Sequence, residues 1–183
     1  MSKQTYIALL RGVNVGGKNL MAMKDLRESL ANHGFCDVRT YINSGNVLFS
    51  AETAAENSSS NRISSAISAD FGYDIRVFVI TASALKEVIT KAPKWWGERP
   101  DYKHNAIFVL PPLSAKEMLS RLALPVPEIE MVAFFEQTIF WSAGWADFSR
   151  SCLSKISGTP EYLQMTVRNS NTARKLAELG ESL

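Results

Sequence analysis

The chain has 183 residues, 46% of them apolar, and a formal charge of +2 from 20 Lys and Arg against 18 Asp and Glu. That is enough apolar chain for one large domain or two small ones, and the near balance of charge excludes the broad basic field that nonspecific nucleic-acid binding uses. Two cysteines with no C-x-x-C pair and two histidines give neither a zinc signature nor a disulfide framework, and Met1-Ser2-Lys3-Gln4 runs into a strand pattern without a signal or membrane segment, so a reduced, cytoplasmic setting is expected.

Tyr6-Ile-Ala-Leu-Leu10 is continuously apolar, the pattern of a central strand covered on both faces. A glycine-rich loop follows, then Met23, Leu26 and Leu30 at helical spacing, with Gly34 placed to end the helix. Val38, Thr40 and Ile42 alternate with polar or aromatic neighbours, and Asn43-Ser44-Gly45-Asn46 supplies a turn before Val47-Leu48-Phe49, which predicts a hairpin. Ile63, Ala66, Ile67 and Phe71 predict a second helix ending at Gly72, and Ile75, Val77 and Val79 a fourth strand. The order is β-α-β-β-α-β, the split unit of ferredoxin-like folds.

The second half repeats that order. Ala106–Leu110 predicts a strand, and Ser114-Ala-Lys-Glu117 has capping-box spacing ahead of a helix bearing Met118, Leu119 and Leu122. Residues 128–135 and 138–142 predict a hairpin, Phe148, Cys152 and Ile156 a helix ended by Gly158, and residues 162–167 the last strand. Two helices fall outside the repeat, one around Leu85, Val88 and Ile89 and one around Leu176 and Leu179. The expected fold class is α+β: two consecutive ferredoxin-like βαββαβ halves with antiparallel sheets, over residues 1–92 and 105–183. The aromatic connector 93–104 joins them, with Trp95, Trp96 and Tyr102 too apolar for a free linker, so the halves are expected to pack tightly.

Chemistry concentrates in Arg11-Gly-Val-Asn-Val-Gly-Gly-Lys-Asn19, between a buried strand and a helix, where backbone amides can approach an anion and Arg11 and Lys18 add charge. Gly12 to Lys18 satisfies G-x-x-x-x-G-K, but Asn19 stands where a nucleotide triphosphatase needs a Ser or Thr hydroxyl for Mg²⁺, and the helix leads into a hairpin rather than a parallel neighbour. In a 4-1-3-2 antiparallel sheet the end of strand one and the hairpin between strands two and three share one rim. The glycine loop and the turn Asn43-Ser44-Gly45-Asn46 should then face each other, with donors suited to phosphate, carboxylate or a base edge. Each segment by itself is also explained by plain turn chemistry. Arg168-Asn169-Ser170-Asn171-Thr172 follows the last strand. Asn171 or Thr172 suits a helix cap, and Arg168, a cation opposing the helix dipole, needs a carboxylate, a carbonyl or a bound anion.

The tryptophans Trp95, Trp96, Trp141 and Trp145 could stack on bases, but packing inside the protein is the expected role. The first strand and Asn46-Val-Leu-Phe-Ser50 lack the exposed aromatics of RNA-recognition modules. Ser149-Arg-Ser-Cys-Leu-Ser-Lys155 offers hydroxyls and two cations, for which a solvated helix face is the expected role and an anion surface the alternative. No Ser/His/Asp order, paired-carboxylate motif or H-E-x-x-H appears, so no catalytic acid, base or nucleophile is assigned and enzymatic activity stays open.

Residues 6–19, Thr40–Val47 and Thr166-Val-Arg-Asn169 resemble the hallmark stretches of a bacterial family, domain of unknown function 1697. Trp95-Trp96-Gly97, His104-Asn105 and residues 149–155 fit its pattern too, so the resemblance covers the whole chain. It implies an α+β fold with ferredoxin-like halves and supplies no activity, substrate or cofactor. Its recurring polar positions fall on Arg11, Asn14, Gly16, Gly17, Lys18, Asn43, Ser44, Gly45, Asn46, Arg168 and Asn169, and Ser170 departs from a Trp common after Arg-Asn. The ligand expected there is a small anionic or phosphate-bearing molecule or nucleotide, bound or turned over. The alternative is a nucleic-acid or protein interaction module using the cleft between the halves. Cofactor and oligomeric state are left open, and no membrane association is expected.

Overall fold

The computed structural model describes residues 3–52, 56–123 and 125–182; the side chains of 56 and 57 are also left undescribed. The elements are β1 (Lys3–Leu10), α1 (Met23–Asn32), β2 (Cys36–Tyr41), β3 (Asn46–Glu52), α2 (Glu56–Phe71), β4 (Val77–Thr81), α3 (Ala82–Thr90), β5 (Tyr102–Val109), α4 (Ala115–Arg121), β6 (Glu130–Phe135), β7 (Thr138–Gly144), α5 (Cys152–Lys155), β8 (Met165–Asn169) and α6 (Ser170–Gly180). They form two four-stranded antiparallel sheets, ordered β2-β3-β1-β4 and β6-β7-β5-β8, the 4-1-3-2 arrangement of two βαββαβ halves. By contact, the chain divides into two compact units, Met1–Lys86 with Leu176–Leu183, and Glu87–Lys175.

In the first unit the apolar run 6–10 is the centre of the sheet and fully buried, flanked by β3 and β4. Tyr6, Ala8 and Leu10 alternate onto one face and pack with Leu26 and Leu30 of α1 and Ile63, Ala66 and Ile67 of α2. Tyr6 stacks on Phe49 with ring centres 5.5 Å apart, and Phe35 meets Phe49 edge-on at 5.2 Å. Side chains of this size, fully buried, each contribute roughly 1.5–3 kcal/mol by leaving water. Gly34 (φ +83) and Gly72 (φ +73) close α1 and α2 in the left-handed conformation, and Gly72 N–H returns to the Ser68 carbonyl at 3.0 Å. The fourth strand starts at Val77, so Ile75 is a buried anchor ahead of it rather than its first residue.

The second unit follows the same plan with a different crossover. Ser114 and Glu117 form the expected capping box on α4. The expected helix over Phe148, Cys152 and Ile156 is broken into a 3₁₀ turn (Phe148–Arg150), the short α5 and a second 3₁₀ turn (Ile156–Gly158). Ser151 is extended (φ −70, ψ 151) and its hydroxyl accepts from Ser154 N–H at 3.0 Å, which restarts the helix there. A further 3₁₀ turn, Pro160–Gln164, takes Tyr162, so β8 begins at Met165. The strand β5 starts at Tyr102, inside the segment expected to be connector.

Candidate functional site

The glycine loop is a miniature hairpin. Lys18 N–H donates to the Val15 carbonyl (3.1 Å) and Asn14 N–H to the Asn19 carbonyl (3.3 Å), with Gly16 and Gly17 as the two turn residues. Their φ angles of +59 and +73 are those of a type I′ turn, in which both central residues lie left-handed and glycine is the unstrained choice. The G-x-x-x-x-G-K spacing therefore encodes a two-residue hairpin here, and not the phosphate cradle that opens a helix. Its tip, from Val15 to Lys18, is exposed.

This hairpin abuts the turn after β2. Asn14 Nδ2 donates to the carbonyls of Asn43 and Met21, 2.8 Å each, while Asn14 Oδ1 accepts from Met21 N–H at 2.8 Å. Leu10 N–H donates to the Gly45 carbonyl at 2.8 Å. Gly45 (φ +70) sits so close to Leu10 and Val13 that an added Cβ would come within 2.8 and 3.1 Å of their Cβ atoms. Asn46 is fully buried, its amide donating to the Tyr41 carbonyl and the Ser44 hydroxyl, 3.1 Å each. Of the five non-glycine residues with positive φ among the described residues, Asn14, Asn19 and Ile42 lie at this rim, and asparagine adopts that conformation readily. Ile42 is the expensive member, a β-branched residue at φ +48 and half exposed, and nothing in its sequence context announces it.

The eleven polar positions named from the sequence thus divide by role. Asn14, Gly16, Gly17, Gly45 and Asn46 set the shape of the rim through the bonds and φ angles above. Lys18 and Asn43 are exposed, and Arg11 and Ser44 half-buried, so these four present charge and hydrogen-bonding capacity at its surface. Arg11 N–H also ties the rim to the residue just ahead of β4 through the Arg76 carbonyl at 3.0 Å. Arg168 and Asn169 belong to the second unit. Arg168 is 7% exposed and donates to the Thr166 hydroxyl and Val167 carbonyl (2.9 and 2.8 Å), and burial pulls its pKa down to about 10. A carbonyl is thus among the partners that the sequence required of this cation. Asn169, rather than Asn171 or Thr172, caps α6, its Oδ1 accepting from Thr172 N–H at 2.8 Å.

Sequence reasoning missed Glu130. Its carboxylate, 4% exposed on the residue as a whole, accepts from Trp141 Nε1 (2.8 Å), Leu153 N–H (2.9 Å), Val126 N–H (2.9 Å) and Cys152 N–H (3.0 Å). It occupies the N-terminus of α5, so the anion that the serine-rich segment 149–155 could have taken from solution is one of the protein's own side chains. Burial, then the charge of Glu130, raises the Cys152 thiol above its ordinary range, which keeps it protonated at neutral pH. The tryptophans also divide: Trp96 and Trp141 are buried as expected, whereas Trp145 is 57% exposed. Among the described residues no cluster of three or more His, Cys, Asp or Glu is placed to hold a metal, and no helix is long and apolar enough to cross a membrane.

The fold as a whole is found in a solved structure, that of conserved bacterial protein SP0830 from Streptococcus pneumoniae. The match has a TM-score of 0.84 and 25% identity, over 98% of this chain and 99% of that one. Among curated proteins nothing matches the chain. The model of a protein family of unknown function, DUF1697, matches residues 3–140, which include both β1 with its glycine hairpin and the β2–β3 turn. The chain belongs to the DUF1697 family.

Proposed function

We propose that the protein binds a small anionic or phosphate-bearing molecule at the rim of the first unit, where the glycine hairpin meets the β2–β3 turn. The observation that carries this reading is the 2.8 Å bond from Asn14 Nδ2 to the Asn43 carbonyl, which holds two segments 29 residues apart in one fixed edge. A left-handed backbone is kept at that edge even by the β-branched Ile42 (φ +48). Arg11 and Lys18 supply the charge, and Ser44 and Asn43 supply directional hydrogen bonds. Asn14, Gly45 and Asn46 work behind them, fixing the shape. The named groups include no carboxylate or imidazole, so the reading is one of binding, with no acid–base step assigned.

The test is thermal unfolding of the wild type and of the double variant Arg11→Ala, Lys18→Ala, with and without inorganic phosphate and sugar phosphates. A ligand at a hundredfold excess over its dissociation constant adds about 2.7 kcal/mol, enough to move the unfolding temperature visibly. The double variant, read against its own unliganded unfolding temperature, loses the ligand-dependent rise. Retention of the full rise in the double variant overturns the assignment.

A further inference from the structure

The second unit carries its own candidate pocket, independent of the rim. It is a depression of about 350 Å³ beside Arg99, Tyr102, Lys103, Trp145, Asn169 and Asn171, within the volume range of small-molecule sites. Its chemistry is aromatic and cationic. Trp145 is 57% exposed, and its ring lies 5.7 Å from Lys103 Nζ, which sits 4.2 Å from the centre of Phe148. Lys103 is half-buried, and among the described residues no carboxylate lies within ion-pair distance of it; the aromatic faces are what its charge meets. The Arg99 guanidinium stacks at 4.0 Å over Tyr102 while Asp101 holds it through two hydrogen bonds, so Lys103 is the cation whose charge a carboxylate has not already met.

Two features make this pocket built rather than incidental. His104 Nε2 lies 2.8 Å from the Arg99 carbonyl and Nδ1 lies 2.6 Å from the Ser142 hydroxyl. A carbonyl only accepts, so Nε2 carries the proton and, in the neutral ring, Nδ1 accepts from Ser142. That bond anchors the segment bearing Arg99 to the start of β5. Asn169, also in the lining, caps α6, an 11-residue helix whose first turn, with its positive dipole end, borders the depression. A second depression of about 340 Å³ shares Arg99, Tyr102 and Trp145 and is lined also by Asp101 and Asp147, which pair with Arg99 and Arg150, and by Glu128.

The geometry points to a planar aromatic anion in the first of these depressions, of the class of a nucleoside monophosphate. Its ring system stacks on the exposed face of Trp145, and its phosphate lies toward Lys103 and the N-terminus of α6. The volume is of the size that one nucleotide fills.

Tryptophan fluorescence and calorimetric titrations of the full chain with adenosine, guanosine and uridine monophosphates, ribose 5-phosphate and inorganic phosphate test this. The nucleotides are expected to bind saturably with quenching and more tightly than the two ring-free phosphates. Lys103→Gln weakens nucleotide binding about tenfold, and Trp145→Ala removes the preference over ribose 5-phosphate. When nucleotide binding is measured in the background of the rim variant Arg11→Ala, Lys18→Ala, it keeps its dependence on Lys103 and Trp145, which separates this pocket from the rim. The inference is overturned by the absence of saturable nucleotide binding, by equal affinity in the Lys103 and Trp145 variants, or by loss of binding in the rim variant alone. Tighter binding of a single-stranded oligonucleotide that falls steeply with salt also overturns the single-nucleotide assignment.

Discussion

Replacing Asn14 tests the joint that holds the rim together. Its side chain makes three bonds, two with half-buried groups of Met21 and one with the Asn43 carbonyl. An Asn14→Ala variant leaves the Met21 amide without its acceptor, about 1–3 kcal/mol, and loses two donations worth about 1 kcal/mol each. Alanine at φ +54 adds about 1 kcal/mol of left-handed strain that asparagine tolerates better. Solvent recovers part of the exposed bond, so a net loss of roughly 3 kcal/mol is expected, within what a domain of ordinary stability survives. Asn14→Asp keeps the acceptor for Met21 N–H but sets an oxygen against two carbonyls, so it should lose as much despite equal shape. Asn14→Gly should recover about 1 kcal/mol relative to alanine. Urea unfolding followed by circular dichroism and tryptophan fluorescence reads these differences from the midpoints at constant m. If alanine and aspartate both lie within about 0.5 kcal/mol of the wild type, the side chain is not a structural joint.

Gly45→Ala should destabilise by roughly 2–4 kcal/mol, because its Cβ meets Leu10 at 2.8 Å and the residue sits at φ +70; unfolding midpoints check it. Glu130→Ala leaves two buried donors, Leu153 N–H and Trp141 Nε1, without partners, a loss of roughly 2–6 kcal/mol measurable by the same denaturation. In the first unit the Ser29 hydroxyl at 2.6 Å, and after it the His33 ring, hold the Asp70 carboxyl below the ordinary aspartate range. A depressed folded-state pKa contributes stability above the unfolded value near 4 and loses it as pH falls through the folded value. The stability gap between wild type and Asp70→Asn should therefore close on acidification below about pH 4, which unfolding at stepped pH reads.

Much of the fold was legible because it rests on short-range rules. The run Tyr6–Leu10 reads as a doubly covered strand and is one, and Gly34 and Gly72 end helices where the apolar periodicity stops. The facing of the glycine loop and the β2–β3 turn followed from strand order alone, once the two runs were read as a hairpin. What the loop does locally was less legible. Seven residues fit a phosphate-loop spacing, but the type I′ turn at Gly16-Gly17 wins because the flanking Asn14 and Asn19 pair with each other. The helix expected over residues 148–158 failed for a long-range reason. Glu130, on a strand distant in sequence, takes the amides of Cys152 and Leu153, and Ser151 caps the short helix that results. Trp145 looked like its neighbours in composition; its exposure depends on where β7 ends, at Gly144.

The rim is tested most directly by amide-resolved NMR of the full chain titrated with inorganic phosphate and then with a phosphate-bearing ligand. The account predicts that the amides from Gly12 to Asn19 and from Asn43 to Gly45 shift together along one saturation curve. Shifts confined to other segments, with these two turns unmoved, would contradict it.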